Sequence, residues 1–170
     1  MNKNELLITR IFDATVETVW KAWTDAETFK QWWGPKDFTC PSAKIDFRVG
    51  GKYLVAMHGP AGTEFDKDFW STGTYREIDP MKKIAVTDSF ADEKGNIVSA
   101  AHYGMSHTFP MESNVEISFE EQAGLPGGAS KTKMTLYYPD TSGIEGKMLK
   151  NMKEGWNQSL DKLASFAEAL

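Results

Sequence analysis

The chain has 170 residues, 41% of them hydrophobic and 25% charged, with a formal net charge of −5. That length fits one domain with a real core, and the acidic balance argues against a nucleic-acid footprint. A single cysteine, Cys40, excludes an intrachain disulfide and a CxxC metal site, and no apolar run is long enough to span a bilayer.

Nothing at the start, Met1-Asn2-Lys3-Asn4-Glu5, reads as an apolar signal core, so a cytoplasmic protein is expected. Glu5 to Phe12 alternates as a strand, with Leu6, Ile8 and Phe12 on one face. Thr15 suits a helix N-cap, and Val16, Val19, Trp20 and Trp23 follow helical spacing. Asp25 caps a second short helix bearing Phe29, Trp32 and Trp33, which Gly34-Pro35 stops. Lys44 to Val49 alternates strictly, with Ile45, Phe47 and Val49 opposite Lys44, Asp46 and Arg48; Gly50-Gly51 then makes a turn or bulge.

Further strands are predicted at Lys52–His58, Thr72–Ile78, Lys83–Phe90, Asn114–Glu120 and Lys131–Tyr138. Short turns between them imply an antiparallel meander. Ala91 to Met111 breaks the rhythm. It contains His102-Tyr103-Gly104-Met105 and reads either as a lid or binding loop or as a mobile surface loop. Last, Leu149, Met152, Trp156, Leu160, Leu163, Ala167 and Leu170 recur at spacings of three and four, one face of a long helix. The obvious place to bury that face is the concave side of the sheet. The space between a curved sheet and one helix is often incompletely filled, so a ligand cavity is expected. No repeat or linker divides the chain, so residues 1–170 are expected to form one domain.

Residues that could carry chemistry are few. His58, His102 and His107 have no supporting cysteines or acidic cluster and read as surface histidines, so no metal site is expected. Cys40 has no evident partner base and reads as a structural thiol. Asp46 and Arg48 suit a solvated face or a cross-sheet ion pair. Asp88 shares the parity of Ile84, Val86 and Phe90, which makes it an inward carboxylate unless a local bulge turns it outward. Gly143-Ile144-Glu145-Gly146-Lys147 has the wrong spacing for a phosphate loop and reads as a turn and helix start.

The order of elements and several local motifs resemble a known family. The motifs are Ile11-Phe12-Asp13-Ala14 with Val19-Trp20-Lys21-Ala22-Trp23-Thr24, Trp32-Trp33-Gly34-Pro35, Asp46-Phe47-Arg48-Val49-Gly50-Gly51, and Gly73-Thr74-Tyr75-Arg76-Glu77-Ile78-Asp79-Pro80. His102-Tyr103-Gly104-Met105 and Gly155-Trp156 also fit. The chain resembles the bacterial relatives of the activator of the heat-shock-protein-90 ATPase, within the START-like (SRPBCC, helix-grip) superfamily. The resemblance implies an α+β helix-grip fold: a curved antiparallel sheet of about six or seven strands around a long C-terminal helix, with two short helices after the first strand. It also implies an interior cavity and carries over no catalytic residues and no cofactor. Superfamily members bind lipids, sterols and polyketides, and a minority are cyclases or hydrolases. The eukaryotic chaperone activators carry an additional N-terminal domain, whereas this chain begins at the first strand of the grip domain.

Three functions follow as expectations. The first is binding of a small apolar or amphipathic ligand (lipid, polyketide or flavonoid-like) between the sheet and the C-terminal helix. Phe47, Tyr53, Met57, Tyr75, Phe90, Met134, Met152 and Trp156 would line the cavity, with Asp88, His102 and Tyr103 as polar groups at its mouth. The second is a stress-related, co-chaperone-like interaction module with a chaperone partner. The third is a cyclase or hydrolase using Asp88, His102 or Tyr103 as acid or base. Oligomeric state is left open.

Overall fold

A computed structural model describes residues 4–124, 126–128 and 130–170. Seven strands form one antiparallel sheet in the order β1-β7-β6-β5-β4-β3-β2. They are β1 (Leu6–Phe12), β2 (Thr39–Ile45), β3 (Lys52–His58), β4 (Asp68–Asp79), β5 (Lys83–Ala91), β6 (Ser113–Gln122) and β7 (Lys131–Tyr138). Two helices, α1 (Val16–Thr24) and α2 (Ala26–Phe29), follow β1, and α3 (Gly146–Glu168) follows β7. The curved sheet wraps the long C-terminal helix, so this is an α+β helix-grip fold. Five consecutive antiparallel pairings run from β2 to β7, and β1 closes on β7, with Leu6 opposite Tyr138 and Phe12 opposite Thr132. The helical corner α1–α2 carries the chain from one sheet edge to the other.

Local chemistry sets the corner. The Thr15 hydroxyl accepts from Thr18 N at 3.3 Å, and the Asp25 carboxylate accepts from Thr28 N at 3.0 Å and Thr28 Oγ1 at 2.6 Å. Each satisfies a helix-start amide that has no partner within its helix. α2 ends at Phe29, and Trp32 and Trp33 lie in the turn beyond it. Gly34 there has φ +106°, a conformation that suits glycine. Trp32 is fully buried and donates to Ala22 O at 2.9 Å, which locks the turn onto α1.

One predicted strand is displaced. The pairing segment is Thr39–Ile45, and Asp46 to Gly51 folds as a turn. The alternation of Ile45, Phe47 and Val49 imitates a strand, yet Val49 is 61% exposed. The turn is fixed by backbone bonds from Gly51 N to Arg48 O (2.8 Å) and from Gly50 N to Tyr75 O (2.8 Å). A side chain at Gly51 would come within 2.1 Å of Asp46 O, so glycine is needed there. Arg48 and Asp46 pair with each other at 3.0 Å inside this exposed turn, not across the sheet.

α3 is seated unevenly. Leu160, Leu163 and Ala167 are buried against the sheet and corner, whereas Leu149, Met152 and Trp156 are only half-buried. Leu170, the last member of the spacing pattern, lies past the helix end and is 80% exposed. Polar clamps hold the C-terminal half. Arg10 reaches Asp161 at 2.7 Å, and the Glu168 carboxylate accepts from Asp13 N at 2.9 Å. Lys162 Nζ donates to Gly34 O at 2.9 Å, Phe38 O at 3.0 Å and Pro35 O at 3.4 Å. Among the described residues, no helix is long and apolar enough to cross a membrane.

Candidate functional site

The alternation of β3 to β7 places one face of each strand under the N-terminal half of α3. A cavity lies there. Its walls come from the corner (Trp23, Phe29, Trp33), the sheet (Ile45, Tyr53, Val55, Tyr75, Ile84, Val86, Asp88, Val115, Ile117, Tyr138) and α3 (Trp156). The cavity volume is about 50 Å³, room for roughly four waters.

The aromatic rings pack on one another and leave this space between them. Trp23 stacks with Trp156 at 6.0 Å, and Trp33 meets Trp156 edge-on at 5.2 Å. Tyr53 and Tyr75 lie 6.1 Å apart. Edge-on and offset arrangements of this kind are the favourable ones for aromatic rings.

One polar network enters this apolar space. Tyr53 Oη donates to Asp88 Oδ1 at 2.6 Å, and Tyr138 Oη donates to Asp88 Oδ2 at 3.4 Å. Trp156 Nε1 donates in turn to Tyr138 Oη at 3.1 Å. Asp88 is half-buried: protein surrounds its carboxyl, and it lines the cavity. Burial raises the carboxyl above the usual aspartate range, and the two phenol donors pull it part of the way back. Burial, reinforced by the neighbouring carboxylate, pushes the Tyr53 and Tyr138 hydroxyls up, so both stay protonated donors. Among the described residues, no Lys, Arg or His lines the cavity.

Of the sequence-derived candidates, Tyr53, Tyr75, Asp88 and Trp156 share this cavity. Phe47 lies behind it, edge-on to Tyr75 at 5.0 Å and to Trp20 at 5.6 Å. Met134 is fully buried beneath the corner, where its sulfur accepts from Trp23 Nε1 at 3.2 Å. Met152 packs half-buried on the core from α3, and Met57 sits beside Gly34. Phe90, His102 and Tyr103 gather elsewhere, at the C-terminal end of β5. Phe90 contacts Tyr103 at 5.9 Å and Phe109 at 5.3 Å, and His102 is exposed against Tyr103. Tyr103 Oη donates to Ala91 O and accepts from Trp70 N, so it fastens the 91–111 excursion to β4 and β5. None of the lining residues comes from that excursion, and Asp88, His102 and Tyr103 do not converge.

Four aromatic wall residues escaped the sequence reading: Trp23, Phe29, Trp33 and Tyr138. Tyr138 had a usable signal, because it shares the parity of Met134 and Leu136. The corner residues had none beyond their helical spacing. His58 is held between Asp66 and Asp68, each at 2.7 Å, on the exposed β3–β4 connection. Among the described residues, no group of three or more His, Cys, Asp or Glu is arranged to hold a metal ion.

Comparison with solved structures finds the same fold across nearly the whole chain. A protein from Chromobacterium violaceum superposes with a TM-score of 0.73 at 24% identity, covering 98% of this chain and 99% of its own. A solution structure from Arthrobacter aurescens gives 0.74 at 23% identity, covering 98% and 87%. The AHSA1 protein from Silicibacter pomeroyi gives 0.69 at 22% identity, covering 95% of each chain. No curated protein matches. The family model for Activator of Hsp90 ATPase homolog 1-like protein matches residues 13–168. With six of the seven strands, the corner and the gripping helix inside that span, the chain belongs to the Activator of Hsp90 ATPase homolog 1-like family.

Proposed function

We propose that the protein binds a small apolar or amphipathic molecule in the cavity between the sheet and α3. Family membership is compatible with ligand binding or with a chaperone-directed role, and the cavity favours the first. One observation carries the reading: an apolar, aromatic-walled space crossed by a single hydrogen-bonded polar group, Asp88 with Tyr53 and Tyr138. That combination is typical of sites where apolar walls supply affinity and a few polar atoms fix orientation. The room limits what enters to a compact group of a few heavy atoms. A lipid, polyketide or flavonoid-like ligand would therefore insert one end and leave the remainder outside, or displace Trp156 and Met152 on the loosely seated half of α3.

The test is titration of the protein with a panel of hexanoate, p-cresol, a short alcohol and a flavonoid. Tryptophan emission is the readout, because Trp23, Trp33 and Trp156 line the space. Saturable changes are expected, with amide shift changes confined to cavity-lining residues. Val86→Phe, which fills the space, should abolish them. No saturable binding across the panel, or shifts mapping to another surface, would overturn the proposal.

A further inference from the structure

Asp88 is a carboxyl in an unusual place. It has two neutral donors, Tyr53 Oη at 2.6 Å and Tyr138 Oη at 3.4 Å, and no cationic residue shares the cavity with it among the described residues. A buried carboxylate without a counter-ion is costly, and two phenol hydrogen bonds offset only part of that cost. The walls around it are rich in tryptophan and tyrosine, whose ring faces attract positive charge. The carboxyl and the rings thus favour the same sign of charge.

We infer that the cavity accepts an N-methylated ammonium group, with Asp88 as its counter-ion and Trp23, Trp33, Tyr75 and Trp156 as its aromatic surround. This rests on the ligand-binding reading above and narrows it to one chemical class. Methylation follows from the hydrogen-bond inventory. A primary ammonium has three donors to satisfy, whereas the cavity offers one carboxyl whose oxygens already accept from two phenols. A methylated nitrogen brings charge with little or no demand for acceptors. It is also compact, in keeping with a space of about 50 Å³.

Proton coupling follows. In the empty protein, burial keeps Asp88 protonated to a higher pH than an ordinary aspartate. An arriving cation favours the carboxylate, so binding releases that proton to solvent. Affinity therefore rises with pH until the empty protein is ionised as well. The other groups around the cavity do not interfere. Tyr53 on β3, Tyr75 on β4 and Tyr138 on β7 are all pushed up by burial and stay neutral. β2, β6, α3 and the corner contribute Ile45, Val115, Ile117, Trp156, Trp23, Phe29 and Trp33, none of which titrates.

The experiment compares choline with 3,3-dimethylbutan-1-ol, its uncharged carbon isostere, on the intact chain. Binding is followed by tryptophan emission and amide shifts at millimolar ligand, since so few atoms support only weak binding. Choline should bind about tenfold more tightly than the alcohol near neutral pH. The preference should shrink as the solution is taken down to about pH 5, toward the carboxyl range. Asp88→Asn should abolish both the preference and its pH dependence. If that variant does not fold, the wild-type pair and its pH series decide alone. Equal or tighter binding of the alcohol overturns the charge inference and leaves the cavity reading intact. So does failure of both compounds when the uncharged members of the panel above bind. Failure of every compound overturns both.

Discussion

The uneven seating of α3 predicts a gradient of mutational cost along one helix face. Leu160 is fully buried, so Leu160→Ala removes three carbons from a closed site. At about 0.8 kcal/mol per buried carbon, the transfer contribution is about 2.5 kcal/mol. The hole left behind raises the total to about 3–4 kcal/mol. Met152 lies two turns earlier on the same face and is half-buried beside the cavity. Met152→Ala also removes three heavy atoms, but solvent already reaches part of them and no closed void results. A cost of about 1 kcal/mol is expected. Equilibrium urea unfolding, followed by far-ultraviolet circular dichroism with the slope held common, measures both. Equal costs at the two positions would mean that the helix is seated uniformly, and the argument for a cavity under its N-terminal half would fail.

Three other outcomes are expected. Asp88 is raised by burial in the folded state, so the folded protein holds its proton above the ordinary aspartate value. Stability should therefore fall as pH rises from that value through the raised one. Asp88→Asn should lack this decline, and parallel urea titrations across the range would refute it if the two proteins track each other. Lys162→Met removes the donor to Gly34 O and Phe38 O and should cost about 1–2 kcal/mol, reduced because the ammonium is partly solvated. A neutral result in thermal unfolding would show that water replaces it fully. Burial pushes the Cys40 thiol up to about 11, so iodoacetamide at neutral pH should label it slowly when native and rapidly in urea. Equal rates would contradict its burial.

Part of the site was legible in the chain. The parity of Ile84, Val86 and Asp88 on β5 identified an inward carboxylate, and helical spacing placed Trp156 toward the sheet. Phe90 has the same parity as Asp88, yet it lies where β5 runs on toward Tyr103 and Phe109. Parity reports which face a residue takes and nothing about distance along the strand from a given point. The Asp46–Gly51 turn illustrates a different limit. Alternation over Ile45, Phe47 and Val49 is compatible with a strand, and only the backbone bonds of Gly50 and Gly51 to their neighbours decide for a turn.

The sequence by itself determined most of the element types, the packing of the C-terminal helix on the sheet, and the family resemblance. Periodicities of two and of three to four are local properties, written in consecutive residues. Only the tertiary structure decided which side chains meet. Trp23, Tyr53, Asp88, Tyr138 and Trp156 come from five separate elements, and their convergence depends on strand register and on where α3 crosses the sheet. The burial of the Asp88 carboxyl, the small size of the space beside it and the lack of a cationic lining residue follow from that convergence, because burial and electrostatics are set by neighbours distant in the chain.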